Sequence, residues 1–401
     1  MSRFLFATWD GAGNLVPTLA LAARLSGDGH DVRLLGQRSI QARCGSQGWR
    51  FRPVTHTPDF DSAAPAPARR DMRATARQLW FNPAAGEDLR EELAREPADI
   101  VIGDCMLFGA LAAAQAAALP TVALFHGAYA LFRRGPLFDM LNGFLPELNA
   151  LRQDLELPAI RSISELHDAC AMSLVATPEA FEPEMPRAAN VRFAGPMLDG
   201  PALLHSAGDT VHTSTSQPRV IVSFSTSDQG QLAVLQRVVT AAARVASRVI
   251  VTTGPAIDPS SVPSAANVDI VRFVPHARLF PAAALVITHA GLGTVMTALA
   301  HGVPLLCVPL GRDQFFNAAR VEALGAGRTI GADADADTIG QAIRALLRDE
   351  TARAAAKRMA DAISVYRNGE SAIAELAALA RSQSYGDGSI CGSAAANSAL
   401  V

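Results

Sequence analysis

"LVITHAGLGTVMTALAHGVPLLCVPLGRDQFFNAARVEALGAG", residues 285–327, is the stretch whose reading decides the fold. A short apolar run ends at His289, Gly291 and Gly293 make a tight turn, and a helical pattern begins at Thr294. Short, β-branched runs that are apolar on both faces read as buried parallel strands. The first turn of a helix has N–H groups without intrahelical partners and the positive end of the helix dipole, which suits a diphosphate. The glycines let the backbone come close to such a ligand, and His289 adds a side-chain donor. Taken alone, the turn reads equally well as a plain strand-turn-helix connection. A second strand, 304–309, follows, and after it come Asp313 and Gln314, with Asn317 and Ala318. A carboxylate beside an amide at the end of a strand can hold two neighbouring sugar hydroxyls. A helix N-cap is the competing reading of Asp313.

The same alternation extends in both directions. Upstream, residues 220–224, 247–252 and 268–273 read as strands, with a helix over 229–245. Downstream, helices are expected over 314–324, 338–348 and 351–365. Residues 196–218, rich in Gly, Pro, Ser and Thr, interrupt the pattern as a linker would. Before them lie strands at 4–8, 31–35, 100–103 and 121–125, with helices at 15–27 and 108–118. Strands alternating with helices predict a doubly wound α/β sheet, and two such series predict two domains with a ligand cleft between them. The expected boundaries are 1–205 and 219–365, joined by a linker at 206–218. A helix over 366–382 and a disordered tail over 383–401 complete the chain.

Bulk composition agrees with this picture. The 401 residues suffice for two cores. Hydrophobic residues make up 49% and charged residues 18%, a globular balance. A formal net charge of -3 provides no basic field for nucleic acid. The five cysteines are scattered, without metal-ligand or disulfide-framework spacing, as expected for a reducing cytoplasm. No run reaches the roughly 18 apolar residues that a membrane span needs. The aspartates at 333, 335 and 337 hint at a metal loop, but an EF-hand frame would put Thr338 and Arg344 where Gly and Glu are needed. An acidic helix N-terminus capped by Asp337 is the expected reading.

The His-x-Gly turn, the "GVPLL" strand and "DQ..NA..V...GAG", in that order, resemble the donor-binding signature of family 1 glycosyltransferases, the GT-B enzymes that include antibiotic and plant natural-product glycosyltransferases. The stretch "RFVPHARLFP", residues 272–281, is similar to the family's nucleobase segment. The resemblance implies a GT-B fold: two Rossmann-like, doubly wound domains facing a central cleft. It implies that Phe273 packs on the base and Val274 offers backbone groups to it. His289, Gly291, Gly293 and Thr294 would meet the diphosphate. Ser225 and Thr226 would reach the phosphates from an adjacent strand, and Asp313 and Gln314 would hold the sugar. Relatives that bind UDP often carry a glutamate eight residues after the histidine for the ribose diol. Here that position is Thr297, so dTDP is favoured and UDP comes second. Leu292 departs from the polar or aromatic residue common at its position.

The opening "TWDGAGNLVP", residues 8–17, falls where the family places the acceptor and the catalytic base. Pro17 fixes the register, and Asn14 occupies the slot of the usual histidine or aspartate. An amide takes no proton at neutral pH. The catalytic candidates are therefore Asp10 first, on the same loop, then Asp104 and His126 at strand ends, with Asn14 positioning the acceptor. Asp104 resembles the aspartate that orients the family's histidine. Turn former, helix cap and interior histidine are the competing readings of Asp10, Asp104 and His126. The implied reaction is an inverting, metal-independent transfer from a nucleotide-diphosphate sugar, a co-substrate rather than a cofactor, to a hydrophobic small molecule. Residues 59–81 and 129–144 read as walls of the acceptor pocket. A nucleotide-sugar epimerase and a catalytically weak helper protein are the alternatives. No nucleic acid, membrane span or cofactor is expected, and a homodimer is left open.

Overall fold

The computed structural model describes residues 1–11, 13–60, 72–198, 219–225 and 228–384. Within them, two all-parallel sheets account for every described strand. The first has the order β3-β2-β1-β4-β5-β6-β7. Its strands are β1 (Arg3–Ala7), β2 (Asp31–Gly36), β3 (Arg50–Pro53), β4 (Ile100–Asp104), β5 (Thr121–Phe125), β6 (Met172–Val175) and β7 (Val191–Phe193). The second has the order β10-β9-β8-β11-β12-β13. Its strands are β8 (Arg219–Ser223), β9 (Arg248–Thr252), β10 (Val268–Val271), β11 (Ala283–Thr288), β12 (Leu305–Cys307) and β13 (Gly327–Thr329). Helices cover both faces of each sheet, so β4, β5 and β8 are buried along their whole length. Central parallel strands read as unbroken apolar runs for that reason.

Sequence patterning missed β3, β6, β7 and β13. Three of these are edge strands with half-solvated patterns, and Arg50 and Arg52 of β3 face solvent. Edge strands are short and charged, which erases the apolar signature. The fourth, β6, is buried but has only four residues. The helix after the His289 turn spans Leu292–Ala300, starting two residues before the expected Thr294. The acidic segment caps the Ala336–Leu347 helix with Asp335, which accepts from the Thr338 N–H at 2.7 Å. This corrects the expected cap, Asp337, which lies inside the first turn. The linker expected at 206–218 and residues 385–401 of the expected tail lie outside the described residues, while 383 and 384, also expected in that tail, close the Glu370–Ser384 helix.

Ala372, Ile373, Leu376 and Ala380 of the Glu370–Ser384 helix are buried in the same apolar cluster as Phe4, Leu21 and Leu25. Among the described residues, no helix is long and apolar enough to cross a membrane. The four described cysteines are buried and unbridged.

One glycine shows how tightly the second sheet is closed. Gly327 pairs with Leu305 across β12 and β13, and a Cβ there would lie 2.1 Å from the Leu305 carbonyl oxygen. That contact is with backbone, which cannot rotate away. Gly327→Ala should therefore destabilise the protein at or above the usual overpacking cost of about 1–3 kcal/mol. Denaturant unfolding checks this, and an unchanged midpoint would show that the β12–β13 edge yields freely.

Candidate active site

In an open parallel sheet, ligands bind beyond the C-terminal ends of the strands, where the strand order reverses direction. In the first sheet that point lies between β1 and β4, and in the second between β8 and β11. The loop after β1 carries Trp9 to Asn14, and β4 ends at Asp104. The loop after β8 carries Ser225, and β11 runs into His289. A cleft of about 1520 Å³ is lined from both sides: by Trp9, Asn14, His126 and Phe132 from the first sheet's loops, and by Ser225, Phe273, His289 and Asp313 from the second's.

On the second sheet's side, the His289 turn is held by its neighbours. A Cβ on Gly291 would come within 2.6 Å of His289 Nε2, so only glycine leaves room for the imidazole. Ala290 sits in the left-handed region at φ 65°, and its carbonyl accepts from Asn317 Nδ2 at 3.0 Å. The same Nδ2 donates to Asp313 Oδ2 at 2.9 Å. Asn317 is fully buried and so ties the turn to the carboxylate that faces the cleft. Burial pushes the His289 imidazole down to about 4, helped by the Arg312 and His276 charges. At neutral pH it is an uncharged ring offering one N–H. Arg312 itself is exposed on the cleft wall, in the left-handed region at φ 57°. A non-glycine residue held there stores strain of order 1–3 kcal/mol, a cost met most often at ligand sites.

Gln314 is more constrained than its sequence role implied. Its Oε1 accepts from the Leu310 and Gly311 N–H groups at 2.8 and 3.2 Å. Its Nε2 donates to Gln229 Oε1 at 2.8 Å, and Gln229 Nε2 donates to Ser225 Oγ at 2.7 Å. These contacts leave Gln314 one amide proton to offer the cleft, while Asp313 keeps the acceptor role. Gly293 and Thr294 line the cleft at the helix N-terminus, Phe273 is half-buried on the wall, and Val274 is buried behind it. Beside them, His276 Nε2 lies 2.9 Å from Ser223 Oγ, which accepts from Thr252 Oγ1 at 2.9 Å. Thr297 also lines the cleft, but its hydroxyl donates back to the Gly293 carbonyl at 2.7 Å. Thr226 lies outside the described residues.

On the first sheet's side, the structure brings Asn14, Asp104 and His126 together. Asp104 Oδ2 accepts from Asn14 Nδ2 at 2.9 Å and lies 3.0 Å from His126 Nδ1. Asp104 Oδ1 accepts from the Met106 N–H at 2.9 Å. Burial works against the Asp104 charge, yet the His126 imidazole and these hydrogen bonds hold its carboxyl below the usual range. Burial likewise disfavours a charged His126, but Asp104, with Asp313 adding from across the cleft, lifts its pKa above the ordinary value. His126 is 18% exposed and lines the cleft, whereas the carboxylate of Asp104 is only 1% exposed and backs the ring.

Asn14 is fully employed. Its other Nδ2 proton goes to the Trp9 carbonyl at 2.9 Å, and its Oδ1 accepts from the Gly11 N–H at 3.0 Å. A Cβ on Gly11 would meet the Trp9 ring at 2.7 Å, so this glycine lets the indole fold back over the loop. The opening Gly turn therefore shapes the cleft wall. Asp10 is 3% exposed, its N–H donates to Gln37 Oε1 at 3.1 Å, and it is not among the residues lining the cleft. Beyond this point much of the wall is apolar, although Arg38, Ser39, Asp59 and Thr75 also line it. Trp9 meets Phe60 and Trp80 edge-on, each at 5.6 Å, and Leu131, Phe132 and Leu137 continue it. Residues 61–71 of the expected acceptor wall lie outside the described residues.

Sequence reasoning named Asp104 and His126 separately and missed their pairing. The signal was present: both follow the ends of adjacent parallel strands, with Asp104 in register with Leu124, two residues before His126. The Asn317 brace was quoted within a motif but given no role.

A family model described as "Erythromycin biosynthesis protein CIII-like, C-terminal domain" matches residues 236–377. The chain is 27% identical to 4'-demethylrebeccamycin synthase of Lentzea aerocolonigenes, over 90% of this chain and 95% of that one. Its backbone is similar to the solved structure of a calicheamicin glycosyltransferase, with a TM-score of 0.77 at 21% identity, covering 96% of this chain and 99% of that one. It is also similar to the glycosyltransferase VinC, solved in complex with dTDP, with a TM-score of 0.73 at 21% identity over 95% and 100% of the two chains.

Proposed function

We propose, for a chain that belongs to the family 1 glycosyltransferases of natural-product biosynthesis and has their GT-B fold, an inverting transfer of a sugar from dTDP to a hydrophobic small molecule, with His126 as the base. The observation that carries this reading is the cleft itself. A turn fit for a diphosphate and a His–Asp pair stand on its opposite walls.

The chemistry follows from the geometry. Asp104 holds His126 Nδ1, which directs the Nε2 lone pair toward the cleft. There it can take the proton of an acceptor nucleophile lying against the Trp9, Trp80 and Phe132 wall. A positioned base of this kind contributes about 10²–10⁴-fold. Attack on the anomeric carbon from this side expels the nucleotide on the other, which inverts the configuration. The transition state has oxocarbenium character, as in glycoside hydrolysis. Negative charge builds on the leaving diphosphate, where the N-terminus of the Leu292–Ala300 helix, the neutral His289 N–H and the Arg312 guanidinium stabilise it. These groups provide the role that a divalent cation fills in other transferases, so chelators should leave the rate unchanged.

Relative to the sequence reading, His126 replaces Asp10 as the first candidate for the base, because it reaches the cleft and has an orienting carboxylate. Asn14 holds Asp104 and the loop. The His126–Asp104 pair argues against a catalytically weak helper, and the aromatic acceptor wall argues against an epimerase.

Donor choice rests on Thr297. Its hydroxyl is spent on its own helix, so it presents no carboxylate to a ribose 2'-hydroxyl. The similarity to a glycosyltransferase solved with dTDP supports the same choice. Thermal stabilisation by dTDP, UDP, GDP and NAD at matched concentrations tests it. A ligand at 100 times its Kd adds about 2.7 kcal/mol. dTDP should stabilise the protein more than UDP, and GDP and NAD should have little effect. UDP ahead of dTDP would overturn the donor choice, and no response to either would overturn the diphosphate site.

A further inference from the structure

The corner that backs the cleft carries a third group, which the proposed transfer does not use. Cys105 follows Asp104 at the end of β4, and its Sγ lies 4.0 Å from His126 Nδ1. Asp104 Oδ2 is 3.0 Å from the same nitrogen, and the three atoms all lie within 4.8 Å of one another. Thiolate, imidazole and carboxylate are together a ligand set for a soft or borderline divalent cation, above all Zn²⁺. Metal–ligand bonds of about 2.0–2.3 Å place tetrahedral ligands roughly 3.3–3.8 Å apart, so small side-chain rotations close the cage. Access comes from the cleft, through the exposed edge of His126.

We propose that Asp104, Cys105 and His126 form a Zn²⁺-binding site whose occupancy switches off transfer. The metal forms bonds to Cys105 Sγ, His126 Nδ1 and Asp104 Oδ2, with water completing the shell. The Cys105 S–H bond breaks and its proton passes to the buffer. The proton on His126 Nδ1 moves to Nε2, so the ring stays neutral. Nε2 then faces the cleft as N–H, without the lone pair that accepts the acceptor's proton. The inhibition, but not the binding, rests on His126 being the base.

Cd²⁺ reports the site through its thiolate-to-metal absorption in the ultraviolet, independently of any transfer assay. The full chain should show this band with saturation at one equivalent. Cys391→Ala should keep it, and Cys105→Ala and Cys105→Ser should each lose it. Zn²⁺ should inhibit transfer by the wild type, EDTA should restore it, and the Cys105 variants should need at least tenfold more Zn²⁺ for half-inhibition. No band in the wild type, or a band that survives in both Cys105 variants, overturns the site. A band that depends on Cys105 without inhibition of the wild type upholds the site and overturns His126 as the base.

Discussion

His126→Asn lowers kcat by about 10²–10⁴-fold, the span expected for loss of a positioned general base, while stabilisation by dTDP is retained. The variant keeps a polar side chain of similar reach but has no nitrogen that takes a proton at neutral pH. In the proposed reading dTDP binds the opposite wall, at His289 and the Leu292–Ala300 helix, so its binding should not change. Asp10→Asn is the matched control. Asp10 does not line the cleft, so its loss should cost less than about tenfold, below the range of a general base. Steady-state kinetics with saturating donor, alongside thermal shifts with dTDP, separates the two outcomes. A His126→Asn enzyme within about threefold of wild type, well short of the range for a lost base, would move that role elsewhere.

Asp104→Asn should cost a comparable amount, about 10³-fold or more, as when an orienting carboxylate is removed from a hydrolase triad. Asp104 Oδ2 serves two donors at once, Asn14 Nδ2 and His126 Nδ1. An amide that keeps its oxygen toward both donors turns its NH2 against the Met106 N–H, and one flipped the other way turns that NH2 against His126 Nδ1, so the ring loses its tautomer and its aim. The pH dependence distinguishes this from a folding defect. The Asp104 charge favours protonated His126 and lifts its pKa. Transfer needs the neutral ring, so wild-type activity rises with pH through a value above the ordinary 6.5. Removing the negative charge lowers that value. The acid limb should move to lower pH even as the plateau falls. A lower plateau with an unmoved limb would show that Asp104 does not act through His126.

Which parts of this molecule could be read directly follows from how local each feature is. The His289 turn was legible because a strand, two glycines and a helix start lie within a dozen residues, and their spacing alone fixes their shape. The longer inner strands were legible because burial on both faces writes an unbroken apolar run, while the four-residue β6 was too short to show one. The edge strands β3, β7 and β13 were not, because solvent on one side allows arginine where an inner strand needs valine. Asp335 took the capping place expected of Asp337 because both are aspartates in one acidic run, and only backbone geometry selects between them. The limited capacity of Gln314 was also hidden, since its carbonyl is occupied by a loop whose path the sequence does not reveal.

The sequence by itself determined two α/β units, a tight glycine turn between a strand and a helix at His289, and an amide rather than a proton acceptor at Asn14. Each of these depends on residues close together along the chain. Only the tertiary structure brought together the pair proposed to stand in for the missing base. Asp104 and His126 are 22 positions apart, and they meet because parallel pairing of β4 and β5 brings both strand ends to one edge of the sheet. The low dielectric of that buried corner then couples carboxylate to imidazole strongly. His126 lines a cleft whose other wall is contributed by the second sheet's loops.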